Sequence, residues 1–242
     1  MNIEITKPDN SYATSCFQFL SMLFLTIMLG TYVLAYKMIS VGGYIISAGI
    51  FIFPINYAIT DITTEVYGYE QTKKMLKLVF ICCLFFSTVV PFLAIMSPPS
   101  GWPYQSGYTH VLGSVFRFFI ANTIGIIVGI TINGYLIAKW KIVMQGKHFW
   151  LRSIGSSVIG ELITSIIADI IAFAGTTNSL GIVKLMMGIF SIKLIYSIFL
   201  SLPSTLMVTH IKLRSGIRFN TLNFDPFKNN ENETRKANAV NF

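Results

Sequence analysis

Residues 78–96 read LVFICCLFFSTVVPFLAIM, nineteen positions without a charged side chain. A stretch of this length and polarity spans the hydrocarbon core of a bilayer as a helix, which takes about 20 apolar residues. Five further apolar segments of at least 17 residues lie at 16–36, 44–60, 115–136, 154–173 and 187–208. Because helices satisfy their own backbone hydrogen bonds in lipid, we predict an all-α polytopic membrane protein with six transmembrane helices in one bundle.

The composition agrees with a membrane protein and excludes an ordinary soluble domain. Of the 242 residues, 53% are hydrophobic and only 12% are charged, whereas soluble domains are about 25% charged. Lys and Arg outnumber Asp and Glu by 18 to 10, but most of the positive charge flanks the apolar segments. Topology and lipid headgroups explain that placement, so we predict membrane lipids and no nucleic acid as partners.

Basic residues alternate along the chain in a way that predicts its orientation. The first, third and fifth connections between spans carry Lys37, no basic residue and Lys184, whereas most other basic residues lie in the remaining connections and the C-terminal tail. By the positive-inside rule, both termini are cytoplasmic. We expect a cytoplasmic N-terminal segment at 1–15, the membrane domain at 16–212 and a cytoplasmic, disordered tail at 213–242.

Several ionisable side chains lie inside the predicted spans or at their ends. A charge at mid-bilayer costs at least about 2.5 kcal/mol, so each such residue is a functional-site hypothesis. The alternative is that acids and bases neutralise one another or extend to the interface. The residues are Asp61, Glu65, Arg117, Glu161, Asp169 and Lys193.

The second span ends with two acids four residues apart. Asp61 and Glu65 share one face of a helix, and one interpretation pairs them with the lysines at 73–74 in a helix-end network. Pro54 has no backbone donor, so we expect it to kink this span at its centre, where Asn56 would meet the freed carbonyl.

A polar stripe runs along the fifth span. Ser157, Glu161 and Thr164 follow helical spacing, and Asp169 lies close enough around the helix for the two carboxylates to flank one face. Such a stripe faces protein or a water-filled cavity rather than lipid.

The fourth span combines small residues with amides. Gly125 and Gly129 form a small-xxx-small pair, which is typical of close helix packing within the chain or between two copies, so a homo-oligomer stays open. Asn122 and Asn133 lie on nearly the same face, since eleven residues make about three turns. Amides beside glycines predict a cavity wall.

No enzyme motif accompanies these residues. His110, His148 and His210 are scattered, and the sequence contains neither HExxH nor GxxxxGK[ST]. We therefore predict a protein that is not an enzyme and has no catalytic residues, cofactor or metal. A membrane-embedded enzyme or assembly factor is the weaker alternative, because it would need a reactive nucleophile or metal.

Two stretches of sequence resemble a known family. They are FPINY at 53–57, followed by TD at 60–61 and TEVYGY at 64–69, and WLRSIGS at 150–156, followed by GEL at 160–162. In order and spacing these motifs resemble the queuosine precursor transporter family, which was earlier grouped with vitamin uptake transporters. The resemblance covers nearly the whole span region.

The resemblance implies a multi-pass importer of the bacterial inner membrane that supplies tRNA modification. Its small-molecule substrate would be a 7-deazapurine base: 7-cyano-7-deazaguanine, 7-aminomethyl-7-deazaguanine or queuine. Many members carry Asp then Ser after the Gly-Glu pair, whereas this sequence has Thr164 and Ser165, so the precursor stays open. An alternative is a substrate-binding subunit of a vitamin-type uptake complex that needs a separate energising partner.

The polar residues fit this ligand class, since a deazaguanine offers N–H donors, a carbonyl acceptor and a flat face. We expect Glu161 to accept from the guanine-like edge and Tyr57 or Phe53 to pack on the ring, in a wet pocket shaped for a purine-like solute. The predicted substrate-binding residues are Glu161, Asn122, Asn133, Lys193, Phe53, Tyr57, Asn56, Asp61 and Asp169. The predicted structural or coupling residues are Glu65, Arg117 and Arg152.

Overall fold

The structure, a computed structural model, describes residues 10–41, 44–173 and 179–215. This part of the chain consists of helices and one short β-hairpin. In chain order the elements are α1 (Asn10–Leu34), β1 (Met38–Val41), β2 (Tyr44–Ser47), a 3₁₀ turn (Ala48–Phe51), α2 (Pro54–Tyr67), α3 (Tyr69–Ala94), α4 (Gln105–Leu112), α5 (Val115–Val143), α6 (Phe149–Phe173) and α7 (Ser179–Ser215). The predicted terminal segments lie largely outside the described residues, although α1 begins before residue 16 and α7 continues past residue 212.

Polarity in the described region is distributed as in a membrane protein. Four helices are long and apolar enough to cross a bilayer: Ser11–Leu34, Tyr69–Ala94, Gly125–Val143 and Phe190–Ser215. Large apolar side chains on the outer faces of α3 and α7 are exposed, whereas the core contains buried acids, amides and hydroxyls. The described residues therefore form a helical membrane protein, with four such spans where the hydropathy pattern predicted six.

The prediction of a continuous second span at 44–60 is wrong. The strands β1 and β2 pair antiparallel, with Met38 opposite Ser47. The Ser47 hydroxyl donates to the Ala35 carbonyl at 2.9 Å and accepts from the Gly49 amide at 3.3 Å, which holds the following 3₁₀ turn against the end of α1. The apolar segment is long enough to span a bilayer, but the structure divides it among a strand, a 3₁₀ turn and the start of a helix.

Pro54 starts α2 and does not kink it, contrary to the prediction. It occupies the first turn of the helix, where its missing N–H has no carbonyl to bond in any case. The resulting helix has only 14 residues, too few to cross a bilayer alone. It is nevertheless central, because α1, α3, α5, α6 and α7 all pack against it and eleven of its residues are buried.

Gly68 is the single residue between α2 and α3, and its backbone requires glycine. Its φ of 87° and ψ of 160° fall in a region that side-chain-bearing residues rarely adopt. We expect Gly68→Ala to lower the free energy of unfolding by about 1–3 kcal/mol. The measurement is thermal unfolding of the purified protein in detergent.

Gly107 in α4 provides a matched control for that substitution. A methyl group added at either glycine meets no atom within 4 Å, but only Gly68 has a positive φ. Gly107→Ala should therefore leave the unfolding temperature unchanged or raise it slightly, because alanine favours helix. Equal unfolding temperatures for the two variants would show that the backbone conformation at Gly68 carries no cost.

Candidate functional site

Three polar side chains recur every four residues along one face of α2. Tyr57, Asp61 and Glu65 are all at most 3% exposed. Because four residues make about one helical turn, they form three successive layers in the core. The face they share packs against α5, α6 and α7.

Asp61 occupies the middle layer and accepts hydrogen bonds from neutral groups on α5 and α6. The Asn133 amide donates to Oδ1 at 2.7 Å. The hydroxyls of Ser157, at 3.0 Å, and Ser153 both donate to Oδ2. Asp61 itself is completely buried. These contacts satisfy much of the carboxylate's hydrogen-bonding capacity without supplying a positive charge.

Glu65 lies one turn away and is surrounded by cations from three helices. The Arg152 guanidinium of α6 is 2.9 Å from Oε2. The ammonium groups of Lys212 and Lys141 are 2.5 Å and 3.6 Å from Oε1. Lys141 also donates to the Glu65 carbonyl at 3.0 Å. We call these four residues the Glu65 cluster; it links α2, α5, α6 and α7.

The interpretation that paired the acids of α2 with the lysines at 73–74 is wrong. Lys73 pairs instead with Glu70 at 3.0 Å, three residues earlier on the exposed surface of α3. The turn at Gly68 redirects the chain after α2, so α3 does not continue the face that carries Asp61 and Glu65. Local spacing alone suggested a pairing that this change of direction prevents.

Tyr57 forms the third layer, at a point where α5 and α6 pack closely together. Its hydroxyl lies 2.6 Å from the Thr164 hydroxyl, which in turn donates to the Gly125 carbonyl at 3.1 Å. A methyl group added at Gly129 would overlap Thr164 and come within 2.5 Å of the Gly160 carbonyl. In the described region, Gly129 therefore packs within the chain.

Glu161 is fully buried on α6, facing α7. Its Oε1 accepts a hydrogen bond of 3.4 Å from Ser197. Two amides on other elements are also buried: neither side-chain amide atom of Asn56, nor Oδ1 of Asn133, has a hydrogen-bond partner among the described residues. Buried polar atoms of this kind call for a partner from a solute or from water.

A narrow cleft opens between α2, α6 and α7. It has an empty volume of about 190 Å³, which includes space open to the surroundings, and it admits a particle of about the size of one water molecule. It is therefore smaller than the purine-shaped pocket that we predicted. The lining residues are Pro54, Tyr57, Ala58, Asp61, Ser153, Ser157, Ser197, Leu200, Ser201 and Ser204.

Most of the serine hydroxyls around this cleft already donate their proton to another protein group. Ser153 and Ser157 donate to Asp61, Ser197 donates to Glu161, and Ser201 donates to the Ile198 carbonyl at 2.7 Å. Each hydroxyl has one proton and two lone pairs, so the atoms left to face the cleft are acceptors. The cleft is suited to N–H donors and to cations.

The sequence-predicted residues fall into four groups. Tyr57 and Asp61 line the cleft, whereas Phe53, Asn56, Asn133 and Glu161 are buried around it without lining it. Glu65 and Arg152 meet in the Glu65 cluster, and Arg152 is fully buried in α6, which begins before the predicted span at 154–173. The side chains of the others lie outside the described part of the chain: Arg117, Asn122, Asp169 and Lys193.

Comparison with known proteins identifies the family. The family described as Putative vitamin uptake transporter matches residues 47–208. The chain belongs to this family. It is also similar to a Bacillus subtilis (strain 168) protein named "Probable queuosine precursor transporter", with 26% identity over 117 residues. That match covers 48% of this chain and 51% of the relative, so it spans about half the length of each. No solved structure matches.

Membership confirms the resemblance inferred from the motifs and indicates a transporter rather than an enzyme. The matched region includes every residue that lines the cleft, and it ends before Lys212 of the Glu65 cluster. Membership of a transporter family and the long apolar helices together indicate a multi-pass membrane protein.

Sequence reasoning missed part of this transporter's site. Ser197, Ser201 and Ser204 follow helical spacing in an apolar helix, and that stripe was a signal for a polar face on α7. Lys141 and Lys212 were read only as topology signals, because they follow apolar spans. Nothing local to either lysine indicates that Glu65 is its partner.

Proposed function

We propose that this chain imports a queuosine precursor across the bacterial inner membrane, with both termini in the cytoplasm. The observation that carries the proposal is the acceptor-lined cleft inside the helix bundle, formed around Asp61 by residues within the family match. The name of the Bacillus subtilis relative supports the same substrate class. The imported base would be 7-cyano-7-deazaguanine, 7-aminomethyl-7-deazaguanine or queuine.

The chemistry of a 7-deazaguanine complements these acceptors. Its pyrimidine edge carries adjacent N–H donors that one carboxylate accepts in parallel, which is the role we assign to Glu161. Tyr57 lines the cleft and offers a ring for stacking. Asn56 and Asn133 supply amide atoms that lack partners among the described residues. An aminomethyl cation would be balanced by Asp61.

The narrowness of the cleft has a consequence for transport. A bicyclic base is larger than the water-sized particle that the cleft admits, so the helices that line the cleft must move apart before the base reaches Asp61 and Glu161. We assign this conformation to a closed state of an alternating-access cycle. The roles of Asn122, Asp169 and Lys193 as further substrate contacts, and of Arg117 in coupling, belong to the same proposal.

Uptake by charge-neutralised variants tests the function. In cells unable to synthesise the precursor, Glu161→Gln should lower queuosine formation in tRNA about 10- to 100-fold at limiting external base, because a charge-assisted hydrogen bond contributes about 1.5–3 kcal/mol. Asp61→Asn should impair uptake in the same direction. Glu70→Gln, which removes an exposed acid from α3, is the matched control.

The amount of each variant in the membrane must be measured alongside, since losing an interior partner also destabilises a bundle. Full modification by both interior variants at normal abundance would refute the assigned roles. Reconstituted vesicles test whether the chain needs a separate energising partner. The purified chain alone should transport the base into the vesicles, either to accumulation or to equilibrium. Binding without transport would instead favour the substrate-binding subunit.

A further inference from the structure

Asp61 and Glu65 lie one turn apart, yet their electrostatic surroundings are opposite. In the described part of the chain, ion pairs within 4.0 Å involve Glu65 and Glu70 but not Asp61. The partners of Asp61 are one amide and two hydroxyls, all neutral. A completely buried carboxylate is costly without a counter-charge, and ionisable residues inside the helix bundle of a membrane protein mark substrate or ion pathways.

The Glu65 cluster does not supply that counter-charge directly. The guanidinium of Arg152 is committed to Glu65 and to the carbonyls of Ile137, Gly146 and Lys147, at 2.9–3.4 Å. The cluster holds three cations around one acid, so it offsets part of the Asp61 charge over a longer distance. Asp61 therefore binds a cation more weakly than it would without the positive charge of the Glu65 cluster.

Several hydroxyl oxygens around Asp61 have lone pairs that are available to a small cation. Ser153 and Ser157 give their protons to Oδ2, so their lone pairs are the atoms left for another partner. Ser201, across the cleft on α7, gives its proton to a backbone carbonyl and is left with lone pairs in the same way. All four residues line one water-sized cleft.

We propose that Asp61, with the hydroxyl oxygens of Ser153, Ser157 and Ser201, forms a sodium site in this cleft. A single carboxylate matches a monovalent ion, whereas divalent calcium sites gather several charged or carbonyl oxygens. Oxygen donors suit hard cations and not the soft transition metals. Because Coulomb attraction rises as the distance falls, the carboxylate attracts the smaller sodium ion more strongly than potassium. Sodium binding at this site requires no solute, whereas an aminomethyl cation would compete with sodium for Asp61.

Thermal unfolding of the purified full chain, without any deazapurine, tests this site. Sodium, potassium and choline chlorides are compared at about 150 mM, which keeps the ionic strength constant. An ion at roughly ten times its dissociation constant should raise the unfolding temperature by about 2–5 °C. We expect that rise in sodium relative to choline, with a smaller rise in potassium.

Variants connect the effect to the site. Asp61→Asn should abolish the sodium-dependent rise in unfolding temperature. Ser157→Ala should shift that rise to a higher sodium concentration. This second variant keeps the test valid if Asp61→Asn does not fold. Glu70→Gln should retain the full rise. Equal unfolding temperatures in the three salts, or a sodium effect that persists unchanged in Asp61→Asn and Ser157→Ala, would overturn the proposal. So would stability that responds to pH but not to sodium.

Discussion

Glu65→Gln should lower the free energy of unfolding by about 3–5 kcal/mol, the cost of removing one partner from a buried ion pair. The substitution preserves the shape of the side chain but leaves Arg152 as a fully buried charge whose counter-ion is gone. Lys141 and Lys212 are partly exposed, at 23% and 18%, so their ammonium groups can turn toward water and lose less. The measurement is thermal unfolding of the purified protein in detergent.

A double variant and a surface variant distinguish this mechanism from general damage. Glu65→Gln combined with Arg152→Gln should recover a large part of the loss, because no fully buried charge then remains in the pair. Glu70→Gln removes an acid whose partner Lys73 is 45% exposed, so its effect should stay below about 1 kcal/mol. If Glu65→Gln costs no more than Glu70→Gln, the Glu65 cluster does not hold the helices together.

Gly129→Ala should force α5 and α6 apart and lower the free energy of unfolding by about 1–3 kcal/mol, the range for overpacked cores. The added methyl group would overlap the Thr164 hydroxyl and lie 2.5 Å from the Gly160 carbonyl and 3.0 Å from the Tyr57 hydroxyl. The backbone carbonyl cannot move without moving its helix. The hydrogen bond between Tyr57 and Thr164 should weaken as a result, and uptake should fall as well as stability.

The comparison for this variant is Gly107→Ala, where the added methyl group contacts nothing within 4 Å. Adding Thr164→Ala to Gly129→Ala removes the overlapping hydroxyl but not the Gly160 carbonyl, so the recovery should be partial. Unfolding temperature and uptake are both measured. If Gly129→Ala has the unfolding temperature and the uptake of the wild type, α5 and α6 do not pack this closely in the membrane.

Much of the site could be predicted where the signal was local. Asp61 and Glu65 were placed on one helix face by their spacing alone, and the polar stripe with Ser157 and Glu161 was read in the same way. The Gly129 signal for close packing was also correct, but whether it acted within the chain or between copies required the partner helix. These inferences succeeded because helical periodicity relates residues that are neighbours along the chain.

The predictions that failed concern segments whose local sequence pattern is compatible with more than one backbone structure. The apolar run at 44–60 satisfied the length of a span, yet Pro54 and the hydrogen bonds of Ser47 divide it into strand, turn and helix. Hydropathy reports how apolar a segment is and not where its backbone changes direction. Gly68 likewise changes the direction of the backbone, so Asp61 and Glu65 do not form the predicted pairs with Lys73.

The amino-acid sequence by itself determined a helical membrane protein of a recognisable transporter family, with acids and amides buried at depth. Apolar length, glycine and proline positions and helical spacing act over a few residues, so they can be read along the chain. Only the tertiary structure decided that Glu65 meets Lys212, 147 positions away, and that Asp61 meets Ser153, 92 positions away. Such pairings depend on which helix faces pack together, and local sequence does not encode that choice.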